Sequence, residues 1–269
     1  IVHGSRGWFV LGGLNFQPVE LAKIVLILAL AHFFYLKGKA SLSWPNFVLS
    51  AGYTALFVAP VLWQPDFGSA MILVGIWGVF IIFTASRWQI FSLGLTALAG
   101  SVLVWFFWFQ AYQRERIMTF LFPGLDPSGS AYNVHQAILA ISTGGFWGQG
   151  LGKGPVTSLR YLPEAETDFI FSVLGEAFGL LGLSLVLAAF LILFFLLLRS
   201  AMRLREQYGA LLILGFTYLL AIEVVINVGM NLGVMPVMGI ALPFLSYGGS
   251  SLIMHLAAVG VMISVARRS

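Results

Sequence analysis

The chain alternates long apolar runs with short polar breaks. Runs long enough to cross the ~30 Å of hydrocarbon in a bilayer occur at about seven places: Val19–Leu36, Asn46–Trp63, Gly68–Thr84, Trp88–Phe109, Phe169–Leu198, Gly209–Met230 and Ser246–Val265. The pattern predicts an all-α, polytopic transmembrane bundle forming a single integral membrane domain over residues 1–269. Pro60 and Pro65 are expected to divide their stretch into two short, broken helices. Such breaks at membrane depth persist only where protein or a water-filled cavity satisfies the freed backbone groups.

One connection is long, residues 110–167, and a loop of this length inside a compact domain usually carries function. Within it Val134, Ile138 and Ile141 recur at helical spacing among the polar Asn133, His135 and Gln136. That spacing predicts a short amphipathic helix lying in the membrane interface. Gly144, Gly145, Gly148, Gly150, Gly152 and Gly154 follow. A stretch so rich in glycine bends freely and lets backbone N–H groups approach an anion closely.

Composition sharpens this picture. The 269 residues are 59% hydrophobic and 9% charged, well below the charge content of a soluble domain, so most of the chain belongs in lipid. The net charge of +4 does not point to nucleic acid, because the bases sit at the ends of apolar runs and form no patch. With no cysteine, disulfides and thiolate metal sites are excluded.

Sidedness follows from the same bases. Lys37, Lys39, Arg87, Arg199, Arg203, Arg205, Arg267 and Arg268 share one set of run ends with the single acid Glu206. By the positive-inside rule that set, with the C-terminus, is cytoplasmic. The opposite set mixes Arg6, Arg114, Arg116, Lys153 and Arg160 with Asp66, Glu115, Asp126, Glu164, Glu166 and Asp168, and is therefore extracytoplasmic. The chain opens at Ile1 in a loop-like stretch without initiator Met, signal peptide or preceding apolar run, and is expected to be N-terminally truncated.

The chemistry is expected where acids meet hydrocarbon. Glu164, Glu166 and Asp168, three of only ten acids, fall within five positions at the start of the Phe169 run. Charge at a membrane boundary is costly and is usually kept for function. Thr167 and Asp168 also suit the N-cap of the following helix. The clustering adds a general base, or an oxygen-only site for a divalent cation, Mg2+ or Mn2+, as the competing reading. Glu20 and Lys23, three apart, are either a local ion pair or part of a polar cavity in which Lys23 meets a phosphate. Asp66 in Gln64-Pro65-Asp66-Phe67-Gly68-Ser69 is either a helix cap or a cavity residue. Ser246-Tyr247-Gly248-Gly249-Ser250-Ser251 permits close helix packing or lines that cavity. Glu223, in the sixth run, pairs locally or shapes the same cavity. His3, His32, His135 and His255 show no metal-ligand spacing and read as ordinary polar residues.

Taken in order, these motifs resemble the SEDS family, the RodA, FtsW and SpoVE group of peptidoglycan glycosyltransferases. The resemblance runs through Gly4-Ser5-Arg6-Gly7-Trp8, Gln17-Pro18-Val19-Glu20 with Lys23, Gln64-Pro65-Asp66-Phe67-Gly68, Tyr132 with Gln136, Gly144-Gly145, Leu162–Phe171 and Pro243–Ser251. Departures are Gly7 where the family often has Arg before Trp8, Val19 for a usual Ser, and Ala177 where a second Glu usually follows Glu176. The wording of the long loop leans towards the elongation member, RodA, over the division member. Family members typically have ten spans, so the resemblance implies that this chain holds the last seven.

The resemblance further implies polymerisation of lipid II at the outer face of the bacterial cytoplasmic membrane, for cell elongation and shape or for division. It implies Asp168 as the essential acid, serving as general base or as ligand of a divalent cation. Arg6, Trp8, Glu20, Lys23, Asp66, Gln136, Glu164, Ser246 and Ser250 are then the cavity and substrate-binding positions, and Arg114, Arg116, Lys153 and Arg160 the phosphate-binding candidates. The expected partners are lipid II, the undecaprenyl-pyrophosphate-linked glycan, membrane lipids and a class B penicillin-binding transpeptidase; no nucleic acid is expected. Two other classes compete: a lipid II flippase, suggested by broken helices and polar residues at membrane depth, and a non-catalytic scaffold for the transpeptidase. Flippases of that kind are often built from inverted repeats, and no matching halves are visible here.

Overall fold

The computed structural model describes residues 7, 9–11, 14–38, 43–84, 111–122, 129–159 and 161–268, with single positions 88, 90, 91 and 94. A short antiparallel hairpin, β1 (Phe9–Leu11) and β2 (Leu14–Phe16), pairs Phe9 with Phe16 and Leu11 with Leu14. Among the described residues everything else that is regular is helical: α1 (Pro18–Lys37), α2 (Trp44–Trp63), α3 (Phe67–Thr84), α4 (Ala111–Leu121), α5 (Ser130–Gly144), α6 (Pro155–Ser158), α7 (Ile170–Arg203), α8 (Gln207–Asn231) and α9 (Gly249–Arg268). Six of these, α1, α2, α3, α7, α8 and α9, are long and apolar enough to cross a membrane. The run Trp88–Phe109 lies largely outside the described residues.

Local chemistry explains the helix ends. Pro18 stands in the first turn of α1, where its missing N–H costs nothing, and Gly38 closes the helix with a φ of 69° that glycine adopts without strain. Pro60 lies inside a continuous α2, so the expected pair of broken helices is not formed there. The break falls at Gln64–Asp66 instead, where Asp66 caps α3 by accepting the Ser69 N–H at 3.0 Å and the Ser69 hydroxyl at 2.7 Å.

The described chain divides into two compact units. The first holds residues 1–109, 196–220 and 249–269. Its core is built by Leu26, Ile27, Leu30 and Phe34 of α1, Ile72, Leu73, Ile76 and Phe80 of α3, and Phe216 of α8, all buried. The Phe34 and Phe80 rings stack with centroids 5.8 Å apart. Close approach is possible because Gly215 has no side chain: a Cβ there would stand 2.8 Å from Ile27 Cγ2 and 3.0 Å from Phe80 Cζ.

The second unit holds residues 110–195 and 221–248. Two apolar clusters support it. Ala137, Ala140, Val156, Leu162 and Phe169 form one, and Phe171, Leu183, Phe190, Val224 and Leu242 the other. The long connection is thus structured. The buried positions of α5 include Ala137 and Ala140, while Ile138 remains 41% exposed.

Candidate active site

Within the second unit the segment leading into α7 is tied by its own carbonyls. The Glu164 carbonyl accepts the N–H groups of Thr167, Asp168 and Phe169 at 3.2, 3.1 and 3.2 Å. Glu164 holds a φ of 54°, a left-handed conformation that a non-glycine residue keeps only when its surroundings enforce it. Its carboxylate is engaged locally, accepting the Thr167 hydroxyl at 3.0 Å.

A second loop docks on this turn. The Ser246 hydroxyl donates to the Thr167 carbonyl at 2.5 Å and accepts the Leu242 N–H at 2.7 Å, and the Tyr247 N–H donates to the Glu166 carbonyl at 2.8 Å. Gly239 stands so near that a Cβ on it would lie 3.6 Å from Asp168 Oδ2. Two fully buried asparagines of α8 complete the frame: Asn227 and Asn231 donate from Nδ2 to the Asp168 carbonyl at 2.9 and 3.1 Å. Asp168 itself is half-buried, between exposed Glu164 and Glu166 and the apolar helix.

The glycine stretch has a different use from the expected one. Helix α7 is interrupted at Gly179, with a φ of 66°. The backbone groups freed by the interruption are met by residues 145–150: Leu180 N–H donates to Gly145 O at 2.8 Å, Leu181 N–H to Phe146 O at 3.2 Å, Gln149 N–H to Glu176 O at 2.9 Å, and Gly150 N–H to Ala177 O at 3.0 Å. The donors of Gly145, Gly148 and Gly150 are all taken by protein carbonyls. They are therefore not the anion cradle that composition suggested. Broken helical backbone in a membrane protein needs this kind of internal partner.

Glu176, buried in α7, fastens the end of the same loop. It accepts the N–H of Val156 at 2.8 Å, the N–H of Thr157 at 3.0 Å and the Thr157 hydroxyl at 2.5 Å. Of the other positions expected in a site, Gln136 on α5 carries a buried Oε1 without a hydrogen-bond partner among the described residues. Lys153 is exposed, and Arg114 is half-buried on α4. The side chain of Arg116, and all of Arg6, Trp8 and Arg160, lie outside the described residues.

The first unit carries Glu20, Lys23, Asp66 and Ser250. Lys23 Nζ and Glu20 Oε1 are 2.9 Å apart with both side chains buried. Ser250 Oγ accepts the Gln17 N–H at 3.2 Å, joining the start of α1 to α9. Glu20 and His255 are both buried and of metal-ligating type, and a Glu20 carboxylate oxygen and a His255 ring nitrogen lie within 4.8 Å of each other. Carboxylate and imidazole donors of this kind could hold a metal ion. Sequence spacing had marked His255 as ordinary. Among the described residues Glu164, Glu166 and Asp168 do not converge into a group of three ligands, so Asp168 offers a cation one carboxylate and no ready-made cage.

Sequence reasoning passed over Asn227, Asn231 and Ser172. A signal was present: two amides four residues apart in an apolar run cost less to bury than charges, but each still costs about 2–7 kcal/mol if left unpaired and so demands a partner.

Fold and site together define a polytopic, helical membrane protein with an acidic turn at the start of one span. The model of the FtsW, RodA and SpoVE cell cycle proteins matches residues 1–269. A probable peptidoglycan glycosyltransferase FtsW of Geobacter sp. (strain M18) is 41% identical, the match covering 98% of this chain and 72% of that protein. The peptidoglycan glycosyltransferase MrdB of Escherichia coli (strain K12) is 36% identical, over 98% of this chain and 72% of its own. A solved chain described under structural coordination of polymerization and crosslinking by a peptidoglycan synthase complex superposes with a TM-score of 0.80 at 36% identity, covering 99% of this chain and 74% of that one. The chain belongs to the FtsW, RodA and SpoVE family of cell cycle proteins.

Proposed function

We propose that this protein is a peptidoglycan glycosyltransferase that polymerises lipid II, with Asp168 as its catalytic carboxylate. The observation that carries the activity is the match of 98% of the chain, at 41% identity, to a probable glycosyltransferase of that kind. Support for Asp168 comes from geometry: a half-buried acid on a turn whose backbone is held from three sides.

In this reaction a GlcNAc 4-hydroxyl attacks the anomeric carbon of MurNAc with inversion, and the undecaprenyl pyrophosphate leaves. Asp168, ionised, accepts the hydroxyl proton as the new bond forms. In the other role open to it, Asp168 would hold a divalent cation, which would supply charge neutralisation at the departing pyrophosphate. In the unit that carries Asp168, Gln136 and Ser246 serve substrate binding and Arg114 and Lys153 contribute positive charge for phosphates; in the other unit Glu20, Lys23, Asp66 and Ser250 are the substrate-binding positions that the family resemblance implies. The distribution of bases along the chain supports an outward-facing site. A crosslinking transpeptidase of the class B penicillin-binding type is the partner, by analogy with the synthase complex that the fold resembles.

The test is polymerisation of lipid II by purified protein. Asp168→Ala is expected to abolish glycan chains while leaving lipid II binding intact; normal polymerisation by that variant would remove Asp168 from the mechanism. Transbilayer movement of labelled lipid II in vesicles containing this protein alone would favour a flippase instead.

A further inference from the structure

Helix α7 does not begin with an ordinary first rung. In an α-helix continued back to Asp168, the Ser172 N–H would bond the Asp168 carbonyl four residues earlier. Here the Ser172 N–H goes to Phe169 O at 3.0 Å and to Asn231 Oδ1 at 3.0 Å, while Asn231 Nδ2 donates to Asp168 O at 3.1 Å. The Asn231 carboxamide is thus inserted between the two groups of that rung, donor to one and acceptor to the other. The network also fixes which way the amide points, because a backbone N–H can only donate and a carbonyl can only accept.

The amide is held firmly. Asn231 Oδ1 accepts the Ser172 hydroxyl at 2.6 Å, and its Nδ2 also donates to Asn227 O at 2.8 Å. Asn227, one turn earlier, gives a second bond to Asp168 O at 2.9 Å and one to Ile240 O at 2.8 Å. Both asparagines are fully buried in apolar surroundings, where satisfied amides are strong and unsatisfied ones expensive. With the Asp168 N–H bound by Glu164 O at 3.1 Å, the polar groups on both sides of the Asp168 Cα are fixed. The direction in which the carboxylate side chain leaves the Cα is thereby set by a backbone held on both sides.

We infer that Asn231, assisted by Asn227, is a positioning residue that keeps Asp168 out of the helical ladder and so aims its carboxylate at the substrate. The inference rests on the proposed role of Asp168. Removing the inserted amide lets Ser172 N–H close directly on Asp168 O, extends α7 backwards and turns the carboxylate away. A misplacement of about 1 Å at a reacting group can cost about 10²-fold in rate.

Two measurements test it. In lipid II polymerisation, Asn231→Ala and Asn227→Ala are expected to lower kcat by about 10- to 100-fold with an unchanged KM; combined with Asp168→Ala they leave lipid II binding where Asp168→Ala alone leaves it. Asn231→Asp, which keeps the acceptor for Ser172 but as a carboxylate has no donor for Asp168 O, should also lose kcat. The second measurement does not depend on activity. Because the chain has no cysteine, Asp168→Cys introduces a single thiol, and its labelling rate by a membrane-impermeant maleimide should change severalfold when Asn231→Ala is added. Parental kcat in the asparagine variants, or an unchanged labelling rate, overturns the inference while an inactive Asp168→Ala leaves the proposed function standing. An active Asp168→Ala instead overturns the role of Asp168 itself.

Discussion

The Glu176 carboxylate, buried within α7, accepts the backbone N–H of Val156 at 2.8 Å from a residue twenty positions earlier. With the two bonds from Thr157 it closes the loop between α5 and α7 onto the helix. Gly154 is required beside it, because a Cβ there would collide with the Glu176 side chain.

Glu176→Ala should therefore destabilise the protein by about 1–3 kcal/mol for the donors left without an acceptor. Glu176→Gln, which keeps one acceptor oxygen, should lose less. Thermal unfolding in detergent, followed by intrinsic tryptophan fluorescence, separates the two; equal melting of Glu176→Ala and parent would contradict the anchoring role.

Gly179→Ala tests the interruption of α7. The substitution places a Cβ at a φ of 66°, about 2.5 Å from the Gly148 N and 2.6 Å from the Phe146 carbonyl carbon. A cost of about 1–3 kcal/mol is expected from backbone strain alone, with faster proteolysis at the glycine loop as its hydrogen bonds to residues 176–181 of α7 are displaced. Parental proteolysis would show that the loop does not depend on the break.

Asp66 separates capping from charge. Asp66→Ala removes both acceptors of Ser69 and should lower stability by about 0.5–2 kcal/mol. Asp66→Asn, itself a good cap, should recover most of that loss in the same unfolding assay. If Asp66→Asn melts as low as Asp66→Ala, the charge and not the cap is what stabilises α3.

The Lys23–Glu20 pair makes a stronger demand, since both side chains are buried. Lys23→Met strands a carboxylate and should cost about 3–5 kcal/mol. Adding Glu20→Gln should restore part of that, which a double-mutant cycle measures directly. An additive result would mean that the two charges do not depend on each other.

Much of this architecture follows from local rules that a sequence displays. Apolar length gives spans, so six runs read from the chain coincide with helices α1, α2, α3, α7, α8 and α9. The three-residue spacing of Glu20 and Lys23 gives their pairing, and Gln64-Pro65-Asp66 followed by Ser69 gives a turn and a cap, because the partners are neighbours along the backbone. The hairpin of Phe9–Phe16 was not anticipated, its strands being only three residues each. The flexibility of the glycine stretch is visible in composition, but the carbonyls that take up the N–H groups of Gly145, Gly148 and Gly150 are not.

The sequence by itself determined that this is a multi-pass membrane protein of the FtsW, RodA and SpoVE family, and drew attention to Asp168. Hydrocarbon enforces length and apolarity on every span, so that information is written residue by residue. Only the tertiary structure decided how the Asp168 turn is held. Asn231 and Ser172 are 59 positions apart, and Ser246 and Thr167 are 79 apart. Hydrogen bonds of that range have no period and no local spacing; they exist because a buried amide or hydroxyl must find a partner once the helices have packed.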